Sequence, residues 1–253
     1  RSVQPTSVNR TANQSVTFSV SASVTDGGTL TYQWKKGSTV VGTSSSYTEN
    51  NLVAGTYSYS VIITNAVNGM SATATSNTAT LTVSSAVTLT GVTLNATAGS
   101  LFTYTLSPSG GLAPYTFSST SALPSWLTLN SNTGVLSGTP TTSALSTALN
   151  LQVTDSNYSS TNVGSSIIQT NSTTIAVATA LSFATAASQS ATVGTAYSTS
   201  FSVTGGRATV TYAYTGTLPN GLLFNTTNGV ISGTPTSDGT YNVTVTATDA
   251  NSA

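Results

Sequence analysis

Lys35, Lys36 and Glu49 are the residues of this chain best suited by type to covalent chemistry. A lysine amine beside an Asn or Asp can condense to an isopeptide bond when a neighbouring carboxylic acid, here Glu49, shuttles the proton. Lys36 shares a strand face with Trp34 but stands next to a turn at Gly37-Ser38, which favours a solvated strand end over the isopeptide reading. Asp155 and Asp249 each sit in a Thr-Asp-x-Asn stretch and are the calcium candidates. Calcium takes six to eight oxygen ligands, usually several of them carboxylates, and no second acidic residue is near either one in sequence. The competing reading is an Asx-type turn after a strand. A Ser-Lys hydrolase would need a nucleophile turn such as Gly-x-Ser-x-Gly, and none occurs. No residue is assigned a catalytic or cofactor-binding role.

The 253 residues include no His and no Cys, which excludes Ser-His-Asp and Cys-His catalysis, His or thiolate metal sites and disulfides. Five basic residues balance five acidic ones, and charged residues make up 4% of the chain. That leaves no electrostatic footprint for nucleic acid or anionic lipid. No stretch is long and apolar enough for a membrane helix. So few carboxylates predict a stability that varies little between neutral and acid pH. Ser and Thr exceed a third of the residues, while Val, Leu, Ile, Tyr and Phe recur at period two, as in Tyr241, Val243 and Val245. This pattern predicts half-buried β-strands.

These strands are organised by a repeat. Leu123-Pro124-Ser125-Trp126-Leu127-Thr128-Leu129-Asn130, followed by Thr133-Gly134-Val135-Leu136-Ser137-Gly138-Thr139-Pro140, recurs 95 residues later as Leu218 to Asn225 and Asn228 to Pro235. Leu-Pro marks a strand start, because proline cannot donate to a ladder. Leu127 and Leu129, like Leu222 and Phe224, then share one face, and the glycine-containing turn sends the chain back at Val135 or Val230. A spacing of this size is that of one β-sandwich. Trp126 is replaced by Gly221 in the other copy, which favours packing over its own loop rather than a sugar-stacking role.

The Leu-Pro-x-x-Leu run followed by Thr-Gly-x-x-Ser-Gly-Thr-Pro resembles the bacterial and archaeal putative immunoglobulin repeats, which are related to dystroglycan-type cadherin-like modules. The resemblance covers residues 87–253. It implies Greek-key sandwiches used as spacers or adhesion modules in surface proteins, and no enzymatic activity. Residues 1–86 are similar to an immunoglobulin-like domain without its disulfide. Trp34 takes the core tryptophan position, Gly55-x-Tyr57 resembles the tyrosine corner, and Tyr59 stands where the second cysteine would be.

The expected architecture is all-β, with three tandem immunoglobulin-like or cadherin-like Greek-key β-sandwiches at 1–86, 87–178 and 179–253. The third lacks its final strand within the chain. Short links at Ser84-Ser85-Ala86 and Ala178-Thr179-Ala180 restrict bending. An unfinished sandwich exposes a sheet edge, to be completed either by chain following Ala253 or by a strand from a neighbouring subunit. Arg1 to Val8 is a poor donor, with Val3, Pro5 and Val8 as its apolar anchors and a competing role as the first domain's own edge.

The composition resembles that of Ser/Thr-rich microbial surface proteins and archaeal filament proteins. The functional expectation is a non-catalytic structural subunit of an extracellular filament or appendage, and the alternative is a spacer or adhesion segment of a large cell-surface protein. The expected partners are copies of itself or neighbouring modules of a longer chain, together with surface glycans. Nucleic acid, membrane insertion and cofactors are not expected. N-glycosylation sequons stand at Asn9, Asn13, Asn95, Asn157, Asn171, Asn225 and Asn242.

Overall fold

The computed structural model describes residues 4–157, 168–184 and 188–250. Arg1 to Val3 of the candidate donor segment, Ile167, Asn251 and Ala253 lie outside the described residues. The first domain holds β1 (Val8–Thr11), β2 (Val16–Ser19), β3 (Thr29–Lys36), β4 (Thr39–Gly42), β5 (Ser46–Glu49), β6 (Gly55–Val67), β7 (Met70–Thr75) and β8 (Ala79–Ser84). One sheet runs β1-β8-β6-β3-β4 with β7 on β6, and β2 pairs β5 to form the other. Period-two alternation places Val16 and Phe18 of β2, Trp34 of β3, Tyr59 and Val61 of β6, and Leu81 of β8 in a common core.

Aromatic packing occupies the place of the missing disulfide. The rings of Phe18 and Tyr59 stack with centroids 4.6 Å apart, and Trp34 lies tilted at 6.2 Å from Phe18. Trp34 and Tyr59 are fully buried. The indole Nε1 of Trp34 donates to the Ser44 carbonyl at 2.9 Å. Half-buried Tyr57 donates its hydroxyl to the Val53 carbonyl at 3.0 Å, four residues upstream, which is the tyrosine-corner geometry.

The second domain holds β9 (Thr93–Thr97), β10 (Phe102–Thr105), β11 (Thr116–Ser119), β12 (Leu127–Leu129), β13 (Val135–Gly138), β14 (Ala144–Thr154) and β15 (Ile168–Ala178). Its sheets are β11-β14-β15-β9 and β10-β13-β12. Their inner faces enclose Leu127, Leu136, Leu149, Leu151, Val153 and Ile175. The repeat motif forms the β12–β13 hairpin, with Leu129 opposite Leu136.

The third domain holds β16 (Ser182–Phe183), β17 (Tyr197–Ser200), β18 (Val203–Thr204), β19 (Thr211–Gly216), β20 (Leu222–Asn225), β21 (Val230–Gly233) and β22 (Val243–Thr248). It repeats the motif hairpin as β20–β21, and β17-β21-β20 matches β10-β13-β12. Among the described residues β22 pairs β19 alone, where its counterpart β14 lies between β11 and β15. The chain is therefore a set of tandem immunoglobulin-like β-sandwiches, and among the described residues the third has no counterpart of β15.

Candidate interdomain sites

The two calcium candidates lie at the junctions between domains, and each accepts a hydroxyl from the domain before it. Edge strands β1 and β9 run parallel to β8 and β15, and Thr11 and Thr97 face Ser84 and Ala178 at their ends. The next amide closes each end, with Ala12 N donating to Ser84 O at 2.8 Å and Ala98 N to Ala178 O at 2.9 Å. Each threonine then reaches across the junction. Thr11 Oγ1 donates to Asp155 Oδ2 at 2.5 Å, and Thr97 Oγ1 donates to Asp249 Oδ2 at 2.6 Å.

The receiving side is built around a double-glycine turn. Gly111 N donates to the linker carbonyl of Ser85 at 2.7 Å, and Gly206 N to that of Thr179 at 2.8 Å. The residue after each pair caps the carboxylate. Leu112 N reaches Asp155 Oδ2 at 3.2 Å, and Arg207 N reaches Asp249 Oδ2 at 2.9 Å. All four glycines have φ between 65° and 74°, the left-handed region where side chains are strained. A Cβ on Gly110 would stand 2.1 Å from Ala86 O, and one on Gly205 would stand 2.2 Å from Ala180 O. The chain passes too close to its own linker for any other residue.

Each junction is thus a clasp of a threonine, an aspartate and two glycines, and it excludes water. Thr11 and Thr97 are 0% and 2% exposed, and Asp155 and Asp249 are 3% and 4% exposed. Charge-assisted hydrogen bonds in such a setting are stronger than neutral ones. Asp155 also forms the expected Asx turn, accepting Asn157 N on Oδ1 at 3.0 Å, while Asn157 Nδ2 donates to Thr11 Oγ1 at 2.8 Å. The donors around these carboxylates are N–H and O–H groups, a set that suits a hydrogen-bonded anion rather than a cation cage. No three acidic side chains come together among the described residues.

The lysine and glutamate singled out for covalent chemistry do meet, as an ion pair. Lys36 Nζ lies 2.5 Å from Glu49 Oε1 and 4.3 Å from the centroid of the Tyr57 ring. Tyr59 and Tyr47 donate to Glu49 Oε2 at 2.7 and 3.0 Å. Burial raises the Glu49 pKa, but the hydrogen bonds from Lys36, Tyr59 and Tyr47 and the lysine charge outweigh it and hold the carboxyl below its ordinary value. A carboxylate held ionised is a poor proton shuttle, so the arrangement fits a structural ion pair. Burial and the neighbouring carboxylate push the Tyr59 phenol well above its ordinary range, and they raise that of Tyr47.

The sequons divide by exposure. Asn9, Asn13, Asn225 and Asn242 are exposed, and Asn95, Asn157 and Asn171 are half-buried. Asn171 Nδ2 is engaged with Leu89 O at 2.8 Å, and Asn157 Nδ2 belongs to the first clasp. Half-buried Trp126 packs edge-on against Phe102 with centroids 6.2 Å apart.

The clasp threonines and glycines were not singled out from the sequence. Their signal is nevertheless present, as Thr11-Ala12-Asn13, Thr97-Ala98-Gly99 and Thr192-Val193-Gly194, and as Gly110-Gly111 and Gly205-Gly206.

The family described as "Putative Ig domain" (He_PIG) matches residues 85–171 and 173–253. The chain belongs to this family. Both matched segments carry an aspartate of a clasp and the double glycine beside it. No curated protein matches the sequence. Among solved structures, the three N-terminal domains of the highly immunogenic outer capsid protein (Hoc) of bacteriophage RB49 align over 94% of this chain and 86% of that one. They do so at 12% identity with a TM-score of 0.52, a likeness of fold. The titin I-band fragment I67–I69 aligns over 98% and 93% at 12% identity, with a TM-score of 0.44. The human desmocollin-1 ectodomain aligns over 97% and 60% at 10% identity, with a TM-score of 0.36.

Proposed function

We propose that this chain is a non-catalytic structural subunit of an extracellular filament or cell-surface appendage. The observation that carries this reading is the clasp, formed twice from the same residue types at equivalent positions. It makes each junction a buried, hydrogen-bonded joint, as a load-transmitting array of modules requires. The open side of β22 offers an edge on which a strand from another copy adds by β-augmentation. Residues 4–11 already serve their own domain. Ser7 Oγ accepts Thr80 N and Gln4 Oε1 accepts Asn77 N, each at 2.9 Å, and β1 pairs β8. A strand donated from them would have to leave that site. The nearly uncharged surface fits an extracellular location, with glycans at the exposed Asn9, Asn13, Asn225 and Asn242 maintaining solubility.

A second reading is a spacer or adhesion segment of a larger cell-surface protein. It is favoured by β15, which completes the second domain from within the same chain. Electron microscopy of the native material separates the two. Ordered fibres with an axial repeat are expected for the filament, and isolated short particles would overturn it in favour of the spacer.

A further inference from the structure

The hairpin of β6 and β7 leaves a strand edge open on the flank of the first domain. Asn68 and Gly69 form its turn, with φ of 50° and 78°, the type I′ combination of a two-residue hairpin loop. Among the described residues β7 pairs β6 alone. The ladder runs from Val67 opposite Met70 to Ile62 opposite Thr75, and just past it Ser76 N donates to Val61 O at 2.9 Å. Hydrogen-bonded and non-bonded pairs alternate along an antiparallel ladder. Met70, Ala72 and Ala74 therefore turn their amides toward β6, whereas Ser71, Thr73 and Thr75 turn theirs outward. None of those three outward residues has a hydrogen-bond partner among the described residues.

This edge is unprotected. Natural edge strands are usually short, or carry a charge or a proline that discourages pairing. The six residues of β7, Met-Ser-Ala-Thr-Ala-Thr, include neither and are all exposed. By contrast β4, an edge of the same sheet, has four residues and lies against Lys35 and Lys36. Residues directly opposite each other share a face, so Ala74 and Ala72 lie on the side of Ile63 and Asn65, and Met70 on that of Val67. On that side the hairpin borders a cleft of about 260 Å³ lined by Ala22, Val24, Leu30, Ile63, Ala72 and Ala74. Met70, the one methionine of the chain, stands near it at the hairpin tip and is 72% exposed.

We propose that β7 pairs with β7 of a second copy, antiparallel and about a two-fold axis through Thr73. The outward residues are centred on Thr73, so this register sets Thr73 against itself and Ser71 against the second copy's Thr75, each as a hydrogen-bonded pair. The same register puts Met70 opposite the second copy's Ser76 and diagonal to its Ala74. From there the flexible thioether enters that copy's cleft, and each copy fills the cleft of the other. Charge permits the contact. β7 has no charged side chain, and five basic residues balance five acidic ones, so two copies approach without net repulsion. A second copy is favoured over another extended segment because one register accounts for the open edge, the exposed Met70 and the cleft together. The pair is lateral and closed, unlike a head-to-tail array, and it depends on neither reading above.

The test follows self-association of the full chain by sedimentation velocity. Thr73→Pro removes an amide that faces away from β6, so the hairpin keeps its own ladder and the unfolding midpoint should be unchanged. Its pairing is expected to weaken about tenfold to a hundredfold. Met70→Lys should weaken it about tenfold, by withdrawing an apolar side chain from each cleft. Because the chain has no cysteine, the register can be read separately. Thr73→Cys alone should oxidise to a covalent pair, whereas Ser71→Cys alone should not and should require admixture of Thr75→Cys. Equal cross-linking of Thr73→Cys and Ser71→Cys, or association that Thr73→Pro leaves intact, would overturn the proposal. So would a monomer at all concentrations whose Ser71, Thr73 and Thr75 amides exchange slowly with solvent, because the edge would then be covered from within the chain.

Discussion

The second and third domains carry the same motif, yet the strands that face it are buried to different depths. Leu127 and Leu136 in one hairpin, and Leu222 and Ile231 in the other, are all buried. The facing strands diverge. Leu149, Leu151 and Val153 of β14 are fully buried, whereas their equivalents Val243, Val245 and Ala247 of β22 are half-buried. The difference is β15, which covers β14 through a long antiparallel ladder and carries β9 on its other edge. A hairpin buries its own inner face locally, but a central strand depends on neighbours from both sides.

This contrast can be broken most strongly in the core. Leu151→Ala should cost about 2–5 kcal/mol, whereas Val245→Ala should cost about 1 kcal/mol or less because its site is already half open. Denaturant unfolding of each variant reads the difference, and equal losses would mean that the third domain is as closed as the second. Hydrogen exchange sharpens the same point. Amides of β22 are expected to exchange far faster than those of β14, whose two flanking strands must separate first.

The junctions come next in size. Asp155→Ala leaves the Thr11 hydroxyl and the Leu112 amide without their acceptor, and should cost roughly 1–3 kcal/mol. It should also broaden the distribution of interdomain distances measured by double-label spectroscopy between the first and second domains. Unchanged distances would show that the linker alone sets the joint.

The smallest effect is the response to acid, and in the first domain it runs through Glu49. The folded-state pKa of Glu49 lies below its unfolded value. Its stabilisation is therefore complete above the unfolded value of about 4.3 and is lost as the pH falls through the lower folded value. The midpoint of the first domain should hold steady from neutral pH to about 5 and decline below. Glu49→Gln should flatten that decline. The sequence predicts little dependence on pH for the whole chain, and in the first domain the structure shows two carboxylates, Glu49 and the exposed Asp26, whose pKa is held below the ordinary value.

The strands, the motif hairpins and the aromatic core around Trp34 and Tyr59 were legible, because alternation, Leu-Pro starts and glycine turns act over a few residues. The clasp was only half legible. Asp155 and Asp249 stood out as rare charges in matching turns, but their partners lie 144 and 152 residues away in sequence. Thr11 and Thr97 are two of many threonines, and the short Thr-Ala-Asn and Thr-Ala-Gly stretches that hold them do not point to a partner in another domain.

Composition and local pattern by themselves determined an all-β chain of tandem sandwiches without His or Cys chemistry. Which carboxylates are buried and which threonines meet them were decided by tertiary structure. Those outcomes depend on parallel edge strands that bring the end of one domain against the double-glycine turn of the next. Such a meeting is fixed by packing between distant segments, and no short window of sequence contains both sides of it.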